Sequence, residues 1–159
     1  MGAQVRGKTQ ADVPGVAALA ERFWGSDLVV NSAGRYVVSA LDGLVAAIAG
    51  DVVGLVAFAI EDGACHIVAL ATTRPNRGIG SALLAAAENA AGRLGCPRVW
   101  LITTNDNLDA LRFYQRRGYR LAALHAGAVA AARAIKPSIP AIGIDGIPLR
   151  DELVLEKHP

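Results

Sequence analysis

Three apolar runs follow one another through the middle of the chain, separated only by tight turn signals. Residues 44–49 and 52–60 are split by Gly50-Asp51, and Asp62-Gly63 then leads into residues 64–72. Each run is short and rich in Val, Ile, Leu and Ala, and a Gly/Asp pair stands between each and the next, which reads as consecutive hairpin-linked strands. Two-residue loops force antiparallel pairing. The strands are apolar on both faces, so helices must cover the sheet on both sides. Gly50-Asp51 also cuts residues 44–60 into pieces too short to span about 30 Å of hydrocarbon as one helix, which argues against a membrane segment.

The flanking sequence supplies those helices. Residues 13–23 place Val13, Val16, Ala17, Leu19, Ala20 and Phe23 on one helical face, with Asp12 as N-cap and Pro14 in the first turn. Residues 81–94 carry Leu83, Leu84, Ala87, Ala91 and Leu94 on one face, and Gly95 and Pro97 stop the helix. Residues 98–104 read as a strand, 107–117 as a helix ended by Gly118, and 119–124 and 152–157 as the last strands. Residues 4–9 are a short first strand. Residues 26–41 are ambiguous: 28–30 and 36–38 read as extended pieces, the second also as a helix end. The expected order is β-α-(short pieces)-β-β-β-α-β-α-β-β. That is an α/β (α+β) fold, a mixed and mostly antiparallel central sheet with helices on both faces.

At 159 residues the chain fits a single domain, 1–159, with one long connection at 125–150. There Ala128–Ile135 reads as a short helix, and Pro137, Pro140 and Pro148 stiffen the segment beyond it. Ile139, Ile142, Ile144, Ile147 and Leu149 give that segment apolar surface to bury, so it reads as ordered. Hydrophobic residues make up 53% of the chain and charged residues 19%, which excludes a disordered chain. A net charge of +2 without a basic block gives no argument for nucleic acid. Cys65 and Cys96 lack metal-ligand spacing and read as reduced, packed thiols of a cytoplasmic protein. No metal is expected. The start of the chain shows neither the apolar stretch of a signal peptide nor a myristoylation signal.

The chemistry concentrates at the end of the third strand. Arg74-Pro75-Asn76-Arg77-Gly78-Ile79-Gly80-Ser81-Ala82-Leu83-Leu84 joins that strand to an amphipathic helix. Glycines at 78 and 80 permit a tight turn and a close ligand approach. The first amides of a helix have no internal partners and carry partial positive charge, which suits a pyrophosphate. Arg77 and Arg74 add charge-assisted donors. Alone, such a turn has a competing reading as a ligand-free helix start. Leu83 stands where a dinucleotide fingerprint wants a third small residue, and the Gly-Lys-Ser/Thr of a Walker loop is absent.

A second motif, Asn107-x-x-Ala110-x-x-Phe113-Tyr114-x-x-x-Gly118-Tyr119, follows in the right order. With both motifs present, the chain resembles the GNAT superfamily of acetyl-coenzyme A-dependent N-acetyltransferases over residues 4–124. One departure is Pro75, where the family usually carries Gln or Arg; Arg74 stands one place earlier. The resemblance implies roles. The amides of Arg77, Gly78, Ile79, Gly80 and Ser81 would hold the pyrophosphate of acetyl-CoA. The backbone near Leu70 and Thr72 would pair with the pantetheine arm, and Asn107 would hydrogen-bond it. Tyr114 would protonate the departing thiolate, a sensible transfer from a phenol of pKa about 10 to a thiolate whose acid lies near 8.5. For Tyr114 a packing role is the competing reading, and for Asn107 a helix cap.

The acceptor implied is a small-molecule or peptide amine, and a homodimer stays open. His66, Asp106 and Asp109 are candidate bases for that amine. Arg150, Asp145 and Asp151 on the long connection are candidates to contact a charged substrate. A non-catalytic coenzyme A sensor and a dinucleotide-binding domain are the alternative functions. Turnover of an amine panel separates the first, and a comparison of acetyl-CoA with NAD separates the second.

Overall fold

The structure, a computed structural model, describes residues 2–159. It falls into two compact units. The first runs to Val29, resumes over Tyr36–Val99 and takes in Pro159; the second comprises Val30–Arg35 and Trp100–His158.

The first unit begins with β1 (Gln4–Gly7) and α1 (Val13–Trp24). β1 is shorter than expected because the chain turns through a single 3₁₀ turn at Gln10–Asp12. Asp12 organises that turn. Its carboxylate accepts the Thr9 amide at 2.7 Å and pairs with Arg6 at 2.7 and 2.9 Å. Asp12 does stand at the N-cap of α1, but its side chain makes no capping bond there, a correction to the sequence reading. The ambiguous stretch resolves into a two-stranded ribbon, β2 (Leu28–Asn31) and β3 (Gly34–Val37), followed by a 3₁₀ turn at Val38–Ala40.

Three long strands follow: β4 (Asp42–Ile48), β5 (Asp51–Glu61) and β6 (Ala64–Thr72), with β1 paired antiparallel outside β4. The β5–β6 turn uses Asp62 and Gly63, both at positive φ, as expected. The β4–β5 turn centres on Ala49 and Gly50, one residue earlier than read, because a two-residue loop of this hand needs positive φ at both central residues.

Helix α2 (Ile79–Arg93) completes the unit. Leu55 and Ala57 of β5 pack in one core with Val16, Leu19 and Ala20 of α1. A Cβ added at Gly54 would instead meet Leu83 at 3.1 Å and Ile79 at 3.3 Å, both on α2. Neighbouring strand residues face opposite sides, so α1 and α2 cover the two faces of this sheet. The hairpin strands, apolar on both sides, anticipate that arrangement.

The second unit holds β7 (Val99–Thr104), α3 (Leu108–Gln115), β8 (Arg120–His125), α4 (Ala128–Ile135) and β9 (Glu152–Lys157), with strand order β7-β9-β8. β8 starts one residue later than expected. The Tyr119 amide is spent on the Tyr114 carbonyl at the end of α3, and Gly118 takes the positive φ that the helix end requires.

The long connection is tied down throughout. Asp151 accepts the Gly127 amide at 2.8 Å, at the start of α4. The Arg133 guanidinium donates to the carbonyls of Ile139, Pro140 and Leu149. Asn105 donates to the Pro148 carbonyl and accepts the amides of Arg150 and Asp151. Among the described residues, no helix is long and apolar enough to cross a membrane.

Candidate functional site

β6 ends at Thr72, whose hydroxyl donates to the Val53 carbonyl at 3.2 Å and accepts the Arg74 amide at 3.0 Å. The Thr73 amide also reaches Val53 O, at 2.8 Å. These bonds fix where the chain leaves the sheet. Leu70 and Thr72 stand opposite Val56 and Gly54 in the β5–β6 register.

Residues 74–78 are exposed, and both Asn76 (φ 61°) and Gly78 (φ 75°) take the left-handed conformation. Gly78 is the N-cap of α2, so the helix begins at Ile79, two residues before the Ser81 start expected. The earlier start puts the amides of Ile79 and Gly80 inside the first helical turn. The first ladder bond runs from Ala82 N to Gly78 O, and no side chain caps the helix. A Cβ built at Gly78 would meet no atom within 4 Å, so the space over the turn is open. Buried Ile79 anchors the turn, and Arg74 and Arg77 flank it in solvent. Uncapped amides, open space and two arginines fit a phosphate-bearing ligand.

In the second unit, Asn107 is the N-cap of α3, and its Oδ1 accepts the Ala110 amide at 3.1 Å. The capping reading of Asn107 therefore holds. The cap consumes only the carbonyl oxygen, so the NH₂ group remains a donor. Tyr114 sits on the same helix with 8% of its surface exposed. Its ring meets Phe113 and Tyr119 edge-on, at centroid distances of 5.2 and 5.5 Å. Burial raises the phenol's pKa above its ordinary value, because a phenolate would lose its hydration. The phenol therefore stays protonated, as a proton donor must.

The three candidate bases fare differently. His66 is fully buried. Desolvation lowers its pKa, partly opposed by Glu61, whose Oε1 lies 3.1 Å from Nδ1. The same oxygen accepts the Tyr36 hydroxyl at 2.9 Å, and the Tyr36 ring stands edge-on to the imidazole at 5.2 Å. Burial, then Glu61, pushes the Tyr36 phenol up to about 12. His66 is thus a packed, neutral member of a Tyr–Glu–His cluster. Asp106 is buried and occupied by the Thr104 hydroxyl and the Ile144 amide. Asp109 is exposed and pairs with Arg112 one turn along α3. His66 and Asp106 are closed off by burial, and of the three only Asp109 keeps an oxygen open to solvent.

Sequence reading passed over Tyr36, Glu61, Ser32, His125 and Glu152. Glu61 and His66 are five residues apart across a hairpin, and strand pairing read that far would have joined them. Ser32 and Glu152 lie 120 positions apart, and no local pattern links them. Cys65 and Cys96 are both buried and free, with the Cys65 thiol raised to about 12 by burial.

Residues 16–119 match the model of the acetyltransferase (GNAT) family. The chain is 45% identical over 146 residues to the uncharacterised protein YxbD of Bacillus subtilis, covering 90% of this chain and 91% of that one. Its fold is similar to the IAA acetyltransferase from Bacillus cereus, with a TM-score of 0.75 at 20% identity, covering 99% of each chain. A GNAT family acetyltransferase from Elizabethkingia anophelis, solved with acetyl-CoA bound, superposes with a TM-score of 0.70 at 18% identity, again over 99% of each chain. Two motifs, the fold and the family match converge: the chain belongs to the acetyltransferase (GNAT) family and is an acyltransferase.

Proposed function

We propose that this chain is an N-acetyltransferase, moving the acetyl group of acetyl-CoA to the nitrogen of an amine by direct attack. The observation that carries the reading is the open, uncapped start of α2, which follows directly on Arg74 and Arg77. Backbone amides from Arg77, Gly78, Ile79, Gly80 and Ser81 would bind the pyrophosphate, with the helix end supplying a fixed partial charge. Arg74 would take over the contact that Pro75 cannot make. The backbone at Leu70 and Thr72 would pair with the pantetheine arm, and the Asn107 NH₂ group would donate to it. Tyr114, kept protonated by its burial, would deliver a proton to the leaving sulfur as the carbon–sulfur bond breaks.

Acetyl-CoA supplies the acetyl group; the protein binds, orients and moves protons. The acceptor nitrogen must be neutral when it attacks, so its proton leaves first, to water or to a protein group. The test is release of free coenzyme A from acetyl-CoA on adding a panel of amines, with the acetylated product identified by mass spectrometry. Saturable release with N-acetyl product supports the reading. Tight binding of acetyl-CoA with no turnover on any amine, alkyl or peptidyl, marks a sensor instead.

A further inference from the structure

Glu152, the first residue of β9, is 2% exposed. Its Oε1 accepts the amide of Ser32, in the β2–β3 turn, at 2.9 Å. The Ser32 hydroxyl in turn lies 3.0 Å from Nδ1 of His125. His125 closes β8 directly opposite Glu152 in the antiparallel register, so the two side chains share one face of the sheet. Ser32 and His125 are exposed, whereas Glu152 is buried beneath them.

A carboxylate withdrawn from water is costly unless a cation or several donors replace its hydration. Glu152 has one neutral donor, and no lysine or arginine among the described residues pairs with it. Every other buried carboxylate is better served. Asp12 has Arg6 and Thr9, and Asp106 has Thr104 and Ile144. The unmet demand at Glu152 is for positive charge. A metal ion is a poor candidate, because a hard cation wants several oxygen ligands, and no group of three His, Cys, Asp or Glu is assembled among the described residues. A primary ammonium needs acceptors only, and has three N–H donors to place. Glu152 and the Ser32 oxygen offer acceptors of that kind, with the exposed His125 ring beside them.

We propose that Glu152, Ser32 and His125 form a binding site for an organic ammonium group of the acceptor. The proposal rests on the reading of the chain as an amine acetyltransferase and narrows its substrate class. A carboxylate stabilises the charged form of an amine bound to it, yet the nitrogen that attacks must be neutral. The group held by Glu152 is therefore not the one acetylated. The acceptor is a small amine with a second cationic group, such as an alkyl diamine, a polyamine or an amino sugar.

Two probes differing only in that second group test this: 1,5-diaminopentane and pentylamine. Their binding is measured by calorimetry on the wild-type chain and on Glu152→Gln. Glutamine keeps an oxygen for the Ser32 amide, so the turn is held while the charge is lost. We expect the diamine to bind at least about tenfold more tightly than the monoamine, and Glu152→Gln to erase that difference. Ser32→Ala, which leaves the backbone amide in place, should weaken diamine binding and leave the monoamine unchanged. Equal affinity for the two probes in the wild type, or a preference that survives Glu152→Gln, overturns the proposal and leaves Glu152 as an anchor for the β2–β3 turn. Binding of a lysine-rich peptide with the diamine silent also overturns it, in favour of a protein acceptor. Acetyl-CoA binding is followed in parallel by thermal shift. Its loss would contradict the acetyltransferase reading without altering the calorimetric comparison.

Discussion

Asp106 receives the backbone amide of Ile144 at 2.9 Å, a bond that reaches across 38 positions of sequence. The same carboxylate accepts the Thr104 hydroxyl, and a Cβ at Gly143 would collide with it. One buried side chain thereby pins the far part of the long connection to the start of α3. Asp106→Ala should cost about 1–3 kcal/mol, the usual penalty for leaving buried donors without a partner. Urea unfolding measures the loss. Acetyl-CoA binding by the surviving folded protein should be unchanged, because Asp106 is structural. An unaltered unfolding midpoint would mean that water replaces the carboxylate.

The ion pair between Arg6 and Asp12 makes a second, pH-dependent prediction. The Arg6 guanidinium, aided by Thr9 and opposed by desolvation, holds the Asp12 carboxyl well below the usual carboxylate range. A depressed folded-state pKa contributes stability that is present above the unfolded value of about 3.9. That stability is lost as the pH falls through the lower, folded value. Asp12→Asn should be less stable than wild type at neutral pH, and the gap should narrow below about pH 4. Thermal unfolding from pH 7 down to pH 2 checks this; a gap constant with pH would contradict it.

His66 has the opposite sign of consequence for its type. Burial lowers its pKa below 6.5, so the unfolded chain takes up the proton first. Stability at this residue is present above about pH 6.5 and falls as the pH drops through that value, levelling once the folded form is protonated too. His66→Gln should flatten the stability profile between about pH 5 and pH 7 relative to wild type. A parallel profile would mean that Glu61 offsets the burial completely.

Tyr114→Phe keeps the ring packing against Phe113 and Tyr119 and removes the proton donor. kcat with a competent amine should fall by about 10² to 10⁴, with acetyl-CoA affinity little changed. Because burial raises the phenol's pKa, the wild-type kcat should show no loss of this acid up to about pH 10. Steady-state kinetics across pH tests both statements. An unaffected kcat would make Tyr114 a packing residue.

Much of this architecture is legible in the sequence, and the reasons are local. Gly/Asp turns between apolar runs place β4, β5 and β6, and the bounds of α4 and β9 follow from alternation and periodicity alone. Asn107 reads as a helix cap because its partner, Ala110, is three residues away. What the sequence hides is long-range. Asp12 reads as a cap for the helix beside it, yet its strongest partner is an arginine on the preceding strand. The 26–41 stretch stays ambiguous because its ribbon is fixed by bonds such as Ser39 N to Asp27 and Ser32 N to Glu152. Glu152 looks like an ordinary polar strand end, since nothing near it in sequence shows that it is buried.

The measurement that bears most directly on the central claim is the thermal stability of the chain as acetyl-CoA is titrated in, for wild type and for Gly80→Asp. A ligand that binds only the folded protein raises its melting temperature with concentration. The aspartate adds a side chain and a negative charge in the first turn of α2, where the pyrophosphate is proposed to lie. The account predicts a concentration-dependent rise for wild type and none for a folded Gly80→Asp protein. An equal rise in both would contradict the placement of acetyl-CoA on the turn between Arg77 and Ser81.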